Sequence, residues 1–428
     1  MRCISPEQTG QANRLVDFRS DFYSLGVIFY RMLIGRFPFE NESTSRMLNM
    51  HISHECTMVH NIDTNIPVPV SKLVSKLMEK NPEQRYQSAK GIIYDLVLMI
   101  SEYESDNELR SVILQTHDVS KILLISQKLY DCESEYNTLV SAHHRANAGS
   151  FELIFLSGVS GTGKTSLAME LYKPIAKQQG FLIYDKYDFS KSEPYSALIG
   201  GMRSFCEMIL LEDRQIFNTF KSKIQEAVGE EGGLLTDAIT NLYKIIGLQP
   251  SVPSICGQDA KNRFVYVFIK FIKAICSVGR SITLILDDLQ WIDLESHNPF
   301  SALIKDYSIK NLMIIGAYRD DEINNDHSLA ITLRNTNAIK YANVTKIKLK
   351  NLNDEAINDL ISDSLQISSL ETYPLTALVN KKTKGNKFFV NQFLRSLFDQ
   401  KAIFLMMLIR NGNGRNAYLV KIILMIVF

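Results

Sequence analysis

The sequence predicts an α/β fold in which helices cover a parallel β-sheet. Three apolar runs, at residues 152–157, 282–286 and 312–317, each have the length of one buried strand. Helical stretches alternate with these runs between residues 150 and 350. A strand buried on both faces reads as a continuous apolar run, and strands that alternate with helices typically pair in parallel.

Length and composition indicate a soluble protein with two or three domains. The chain has 428 residues, of which 46% are hydrophobic and 22% are charged. One ordinary hydrophobic core does not extend over so long a chain. The formal net charge of +1 provides no long-range attraction to polyanions. We therefore expect no nucleic-acid partner and no anionic membrane surface.

The cysteines and the apolar runs favour a cytoplasmic protein. The six cysteines stand far apart and include no Cys-x-x-Cys pair, so neither a disulfide framework nor a zinc site is expected. The first residues contain no apolar core of a signal peptide. The longest apolar runs are shorter than the roughly 20 residues of a membrane-spanning helix.

Changes of pattern along the chain divide it into five regions. Residues 1–100 are predicted to be helical, with one apolar helix at 22–33 that ends at Gly35. A small helical region follows the predicted sheet and opens at Asn353. The predicted regions are a helical segment at 1–100, an acidic linker at 101–127, the α/β domain at 128–350, a helical region at 351–400 and a divergent apolar tail at 401–428.

A glycine-rich loop between the first predicted strand and its helix has the full Walker A pattern, GxxxxGK[ST]. Glycines let backbone N–H groups turn towards a phosphate, and the helix N-terminus adds a favourable dipole. Lys164 would reach the β- and γ-phosphates of ATP, and the Thr165 hydroxyl would bind Mg²⁺. The alternative is a chance Gly/Ser/Thr turn. The predicted nucleotide-binding residues are Gly158, Ser160, Gly161, Thr162, Gly163, Lys164, Thr165 and Ser166.

Two further strand ends carry charges suited to phosphate chemistry. Asp287 and Asp288 end one buried strand, and Arg319 follows another. Since parallel strands end at one edge of the sheet, these side chains should meet the phosphate site. We expect Asp287 to hold Mg²⁺ through water, Asp288 to orient or deprotonate the attacking water, and Arg319 to stabilise the γ-phosphate.

Each of these assignments has a structural alternative. The two aspartates could begin a loop or cap a helix, and Arg319 could pair with Asp320 or Asp321 at the surface. Trp291, the only tryptophan, is expected to pack under the loop. His143 and His144 have no partner at metal-ligand spacing and are expected on the surface.

The Walker A loop, the Leu286–Asp293 stretch and the Gly316–Asp320 stretch together have the pattern of one family. Through them, residues 118–400 resemble the signalling ATPase module of large fungal, amoebal and bacterial multi-domain sensor kinases. That module belongs to the STAND-type branch of the AAA-like ATPases, whose members usually act as nucleotide-controlled switches. The resemblance implies ATP and Mg²⁺ as cofactors and other modules or proteins of a signalling pathway, such as a phosphorelay, as partners. It rests on Gln127–Tyr130, the Walker A loop, Pro194–Ala197, Ala260–Phe264, Leu286–Asp293, Gly316–Asp320 and Gly385–Phe389.

Two departures qualify that resemblance. Family members usually carry Tyr-Gly-Arg-Glu beside the base, where this chain has Tyr130-Asp131-Cys132-Glu133. The resemblance also stops near Gln400, where the family continues into helical repeats followed by sensor and histidine-kinase modules. The chain therefore reads as a fragment of a longer protein, with a genuine, divergent end as the alternative.

Residues 1–100 resemble the C-terminal half of a Ser/Thr protein kinase domain. This part of a kinase is the all-α portion of its C-terminal lobe. The segment at 4–10 looks like the end of an activation loop, Asp21–Gly26 looks like the start of the central helix, and 81–85 looks like the loop that holds an arginine. By that analogy Glu7 and Arg85 form a buried ion pair. The Gly-rich loop, the ATP-binding lysine and the catalytic loop have no counterpart, so we expect no protein phosphorylation from this half.

Three functions remain open on these grounds. The first is a slowly hydrolysing ATP switch in a signalling protein. The second is a Ser/Thr kinase, which requires the upstream half of the kinase domain. The third is a nucleotide-binding scaffold without turnover, which differs from the first only in phosphate release.

Overall fold

The structure is a computed structural model of the chain. It describes residues 1–10, 14–109, 112–118, 123–189, 194–253, 257–324, 327–335, 343–400, 403–408 and 419–424. None of the helices in these ranges combines the length and the apolar character that a membrane span requires.

A parallel sheet of five strands lies at the centre of the described chain, in the order β2-β3-β4-β1-β5. All four neighbouring pairs are parallel. Every strand therefore ends at the same edge of the sheet, as the sequence predicted. The strands are β1 Phe151–Ser157, β2 Phe181–Lys186, β3 Ile282–Asp287, β4 Leu312–Tyr318 and β5 Asn343–Lys348.

The central strands are buried on both faces, which explains their continuous apolar sequences. In β1, Leu153 and Phe155 face one hydrophobic cluster, whereas Ile154 and Leu156 face another. Alternate side chains of a strand point to opposite faces, so a strand between two layers of helices has no polar face. The helices of this part are α6 Glu133–Asn147, α7 Lys164–Met169, α8 Tyr172–Lys177, α9 Ser196–Leu210, α10 Arg214–Val228, α11 Gly232–Ala238, α12 Tyr243–Ile246, α13 Gln258–Cys276, α14 Leu294–Lys305 and α15 Ser328–Asn335.

The prediction for His143 was wrong, whereas that for His144 was right. His143 is fully buried, and burial lowers its pKa to about 4. His144 is exposed and contacts Gln178. The reason is the helical period of α6, whose inner face comprises Leu139, Ala142, His143 and Ala146.

The described residues between 1 and 118 form a helical N-terminal segment with clusters of buried side chains of its own. Its first helix ends as predicted at Gly35, whose φ is 82° and whose N–H donates to the carbonyl of Arg31. Against the α/β part, Ile52 joins the cluster that contains Leu171 and Ile175. The helices are α1 Arg19–Ile34, α2 Thr44–Ser53, α3 Val59–Ile62, α4 Val68–Leu77 and α5 Ala89–Asp106.

The end of the segment covers part of the predicted linker. Helix α5 runs on to Asp106, and Asp118 lies buried against the start of that helix. There Asp118 accepts hydrogen bonds from the Gln87 backbone N–H and the Ser88 hydroxyl.

Three helices follow the sheet and are called the C-terminal helices below. They share one apolar cluster that includes Ile357, Leu360 and Val379. Asn353 caps the first of them by accepting a hydrogen bond from the backbone N–H of Ala356 at 2.8 Å. Beyond them, two short strands in the predicted apolar tail pair antiparallel. The elements are α16 Asp354–Leu365, α17 Ser369–Thr383, α18 Lys387–Asp399, β6 Ile403–Leu408 and β7 Leu419–Leu424.

Candidate functional site

The loop at residues 158–165, called the phosphate loop below, connects β1 to α7 and depends on glycine. Gly158 has φ 148° and Gly161 has φ 83°, a region that strains other residues. A Cβ on Gly158 would lie 2.8 Å from the carbonyl oxygen of Leu349. The loop therefore takes this shape only because these positions lack side chains.

Lys164 begins helix α7 and turns back into this loop. Its Nζ donates to the carbonyl oxygens of Gly158 at 2.7 Å and Val159 at 2.9 Å. The residue is 6% exposed, and burial lowers the pKa of its ammonium group. A poorly hydrated cation in the hollow of the loop is well placed to bind a phosphate oxygen.

The second residue of helix α7 meets the end of strand β3. The Thr165 hydroxyl donates to a carboxylate oxygen of Asp287 at 2.6 Å, and the Tyr184 hydroxyl approaches the same oxygen at 3.3 Å. The structure thus brings together the two predicted metal ligands. In the described residues no group of three or more His, Cys, Asp or Glu side chains could hold a metal alone. A pair of this kind suits Mg²⁺, which usually takes one or two protein ligands together with phosphates and water.

Asp288 lies next to this pair, in a constrained conformation between two cations. Its φ is 48°, and its carboxylate lies 2.7 Å from Lys186 Nζ and 3.3 Å from Arg319 Nε. Burial alone would raise the pKa of Asp288, but hydrogen bonds from Lys186 and Gln290 and the nearby positive charges outweigh it and lower the pKa. Asp288 is therefore a weaker base than an unpaired aspartate.

Arg319 lies at the same edge of the sheet, as predicted. Its ion-pair partners differ from Asp320 and Asp321, which the sequence offered as alternatives. It contacts Asp288 and lies 2.6 Å from a carboxylate oxygen of Glu322. Its guanidinium also lies 4.8 Å from the centre of the Trp291 ring, and Trp291 packs against the main core. Stacking on an aromatic face restricts the directions in which an arginine can point.

A cavity of about 280 Å³ beside the phosphate loop is lined by Lys164, Thr165, Asp287, Asp288 and Arg319, together with other residues. Sequence reasoning missed four of its lining residues. Lys186 ends strand β2, so its place at the end of a parallel strand was a usable signal. The other three belong to helix α18. Lys387 and Phe388 lie within the Gly385–Phe389 stretch on which the resemblance rests, whereas Asn391 lies outside every motif named above. The missed residues are Lys186, Lys387, Phe388 and Asn391.

Residues at the start of α18 donate hydrogen bonds to backbone carbonyl groups of the phosphate loop. The Phe388 N–H donates to the carbonyl of Gly161 at 3.1 Å, and the Asn386 amide donates to the carbonyl of Ser160 at 2.7 Å. Lys387 reaches the carbonyl of Lys128, in the segment that precedes α6. A movement of the loop would therefore be transmitted to the C-terminal helices.

Replacing Gly161 with alanine tests this contact. The new Cβ would lie 2.5 Å from Asn386 Oδ1 and 2.8 Å from Phe388 Cβ. We expect a loss of about 1–3 kcal/mol of stability from the backbone strain alone, and weaker ATP binding because α18 must move. Gly279→Ala is the matched control, since Gly279 has φ 88° with nothing within 4 Å. Thermal unfolding and ATP titration compare the two, and equal effects would contradict the proposed contact.

Comparison with known families agrees with this geometry. Residues 128–315 match the family described as AAA ATPase domain, a range that contains β1, the phosphate loop and β3 and ends within β4. This part of the chain is an AAA ATPase domain. Residues 2–97, within the N-terminal segment, match the family described as protein kinase domain.

Two histidine kinases are similar to this chain. The chain is 28% identical to hybrid signal transduction histidine kinase G of Dictyostelium discoideum over 94% of this chain and 14% of that protein. It is 24% identical to histidine protein kinase 1 of Candida albicans over 68% of this chain and 13% of that protein. The chain thus spans about one seventh of these relatives. Among solved structures, Cdc6p of Pyrobaculum aerophilum is similar at 13% identity, covering 65% of this chain and 64% of that one, with a TM-score of 0.40.

The ion pair expected from the kinase resemblance is confirmed. Arg85 donates to both carboxylate oxygens of Glu7, at 2.7 and 2.9 Å, and both side chains are almost fully buried. Burial alone would raise the pKa of Glu7, but Arg85 and Ser20 outweigh it and lower the pKa. The pair therefore fixes the position of residue 7 relative to the loop at 81–85 within the N-terminal segment.

Proposed function

We propose that this chain is the ATP-dependent switch module of a larger signalling protein related to hybrid sensor kinases, and that it hydrolyses ATP slowly. The observation that carries the proposal is the contact between Thr165 and Asp287 beside the buried Lys164. These three groups are the ones that a triphosphate and its magnesium ion require. When bound, ATP with Mg²⁺ supplies the phosphoanhydride bond and the cation that offsets its charge.

In this proposal each residue has a distinct role. Lys164 and the phosphate-loop amides bind phosphate oxygens, whereas Thr165 and Asp287 hold the cation. Arg319, oriented by Trp291, stabilises negative charge at the far end of the cavity. Asp288 orients the attacking water and accepts its proton once its own cationic partners are displaced.

The switch role is supported by the attachment of helix α18 to the phosphate loop. Phosphate binding that moves the loop changes the position of Asn386 and Phe388, both of which bond to it. The cluster behind them joins all three C-terminal helices. A ligand shifts such an equilibrium only by its differential contact with the two states, and here the contact is direct.

Binding without turnover is the second candidate, and one observation favours it. Asp288 is held by Lys186 and Arg319 with a lowered pKa, which reduces its strength as a base. Hydrolysis would require these contacts to loosen. The two candidates make different predictions for the adjacent aspartates.

Asp288→Asn is expected to bind ATP within a few-fold of wild type and to lose roughly two or more decades of hydrolysis, the usual scale for a lost general base. Asp287→Asn should instead weaken the Mg²⁺ dependence of ATP binding, because its carboxylate contacts Thr165. ATP titrations with and without Mg²⁺, combined with single-turnover hydrolysis, separate the two variants. Indistinguishable variants would refute the assignment of roles, and a wild type that binds but does not hydrolyse ATP would establish the second candidate.

A further inference from the structure

A second cavity, of about 300 Å³, adjoins the phosphate cavity. The two share Ser166, Lys387 and Asn391 among their lining residues, so one ligand can extend through both. The second cavity has apolar walls at Met169 and Ile125 in addition to polar groups. A mixed lining of this kind suits a base with its ribose better than it suits phosphates.

One side of this second cavity is built by the N-terminal segment. Arg14 lines it with a side chain that is only 8% exposed. Its guanidinium donates to Glu170 at 2.8 Å, directly after helix α7, and to Asn81 at 2.7 Å within the N-terminal segment. Arg14 thus connects the loop at 81–85 with the helix that begins at Lys164.

Two polar atoms in this cavity lack a partner among the described residues. They are Arg14 Nε, a buried donor, and Asn391 Oδ1, a buried acceptor. A buried polar group without a hydrogen bond is costly, and such groups in a cavity indicate a ligand that completes them. A nucleoside carries both acceptors and donors, whereas a phosphate chain carries no donor complementary to the Asn391 oxygen once it is ionised.

The loop at 81–85 also contacts another wall of the second cavity, which is formed by Ser126 and Gln127. Glu83 accepts hydrogen bonds from the Ser126 hydroxyl at 3.0 Å and from the backbone N–H of Gln127. Both of these residues line the cavity. The loop at 81–85, which is itself held by the buried Glu7–Arg85 pair, therefore determines the position of two walls.

We propose that the N-terminal segment forms one wall of the nucleotide site, with Arg14 against the nucleoside, so that nucleotide binding and docking of this segment are linked. The inference rests on the proposed function and extends it by assigning a regulatory contact to the kinase-related part. Because linkage is reciprocal, nucleotide stabilises the docked segment by the same free energy that docking adds to nucleotide binding.

The test compares ADP with inorganic tripolyphosphate, which fills only the phosphate half. In the full chain, Arg14→Ala should weaken ADP binding at least about fivefold, the lower end of ordinary coupling energies, and leave tripolyphosphate binding unchanged. The matched control is Arg46→Ala. Arg46 lines neither cavity, but it forms another ion pair between the N-terminal segment and the α/β part, with Asp213 at 3.3 Å. Arg46→Ala should change neither affinity.

Arg14→Lys covers the case in which the alanine variant does not fold. Lysine keeps the charge facing Glu170 but lacks the planar Nε, so ADP affinity should fall while the thermal midpoint without ligand stays near that of wild type. Hydrogen exchange gives the reciprocal measurement. Amides of residues 81–95 should exchange more slowly when ADP is added to wild type, and this protection should be lost in either Arg14 variant.

The outcomes separate this inference from the proposed function. If wild type binds neither ADP nor tripolyphosphate, both are refuted. If wild type binds both ligands and the Arg14 variants lose neither affinity or lose both equally, the proposed function stands and the linkage is refuted. ADP binding without protection at 81–95 in wild type would also refute the linkage.

Discussion

Lys164→Ala is expected to weaken ATP binding by a factor between roughly thirty and several thousand. This range corresponds to the loss of about 2–5 kcal/mol that follows when one partner of a buried charged contact is removed. Lys164 is the one buried cation that reaches into the phosphate loop from helix α7 among the described residues, and its Nζ already lies 2.7 Å from a loop carbonyl. An alanine leaves the loop amides in place but no charge against the phosphates. Calorimetric titration with ATP measures the loss.

The fold should survive this change. The Lys164 side chain is buried, and this burial disfavours its charged form and lowers its pKa, so its removal relieves a desolvation cost. Lys177→Ala is the control, because Lys177 is exposed at the end of α8 and does not line the cavity. A Lys164 variant that folds normally and retains full ATP affinity would refute the phosphate-site assignment and the proposed function with it.

Breaking the Glu7–Arg85 pair should destabilise the N-terminal segment by about 3–5 kcal/mol, the usual effect of leaving one buried charge without its partner. Arg85 is fully buried and also donates to the carbonyls of Glu79 at 2.7 Å and Arg19 at 2.9 Å. Arg85→Met therefore removes several hydrogen bonds and leaves the Glu7 carboxylate in a medium of low polarity. Urea denaturation followed by hydrogen exchange within residues 19–106 locates the loss.

Two comparisons make this second prediction specific. The double change Glu7→Gln with Arg85→Met should cost less than the sum of the single changes, because no isolated charge remains. Arg46→Ala, at a pair whose side chains are 41% and 29% exposed, should cost at most about 1 kcal/mol. Additive single and double variants would contradict a coupled buried pair.

The same pair predicts a dependence on pH. The pKa of Glu7 is lower in the folded protein than its usual 4.5, so its stabilisation is present above that value and is lost as the pH falls below it. The N-terminal segment of wild type should therefore unfold more readily in acid, and Glu7→Gln should lack this part of the pH dependence.

The strand and loop predictions succeeded because they depend on local chemistry. Continuous apolar runs gave the central strands of the sheet, and β3 lies at Ile282–Asp287 where residues 282–286 were predicted. The spacing of glycine, lysine and threonine located the phosphate loop. Of the two metal-ligand candidates, Thr165 followed from the Walker A pattern and Asp287 from the rule that parallel strands end at one edge of the sheet.

The helical stretch that follows the phosphate loop is divided into two short helices. Helix α7 ends at Met169 and α8 begins at Tyr172. Pro174 explains the division, since it has no N–H to donate to the carbonyl of Glu170, four residues earlier. The gap brings Glu170 to the place where Arg14 reaches it.

The sequence by itself determined the sheet, the phosphate loop and the residues at two strand ends, because apolar periodicity and glycine placement act over a few neighbouring residues. Only the tertiary structure decided which charges meet. Lys186 forms an ion pair with Asp288, and Asn391 lines two cavities. Arg14 lines the second cavity and bonds to Glu170, which lies 156 residues further along the chain. Such pairings depend on how separate elements pack, and electrostatic interactions depend on distance in space rather than along the chain.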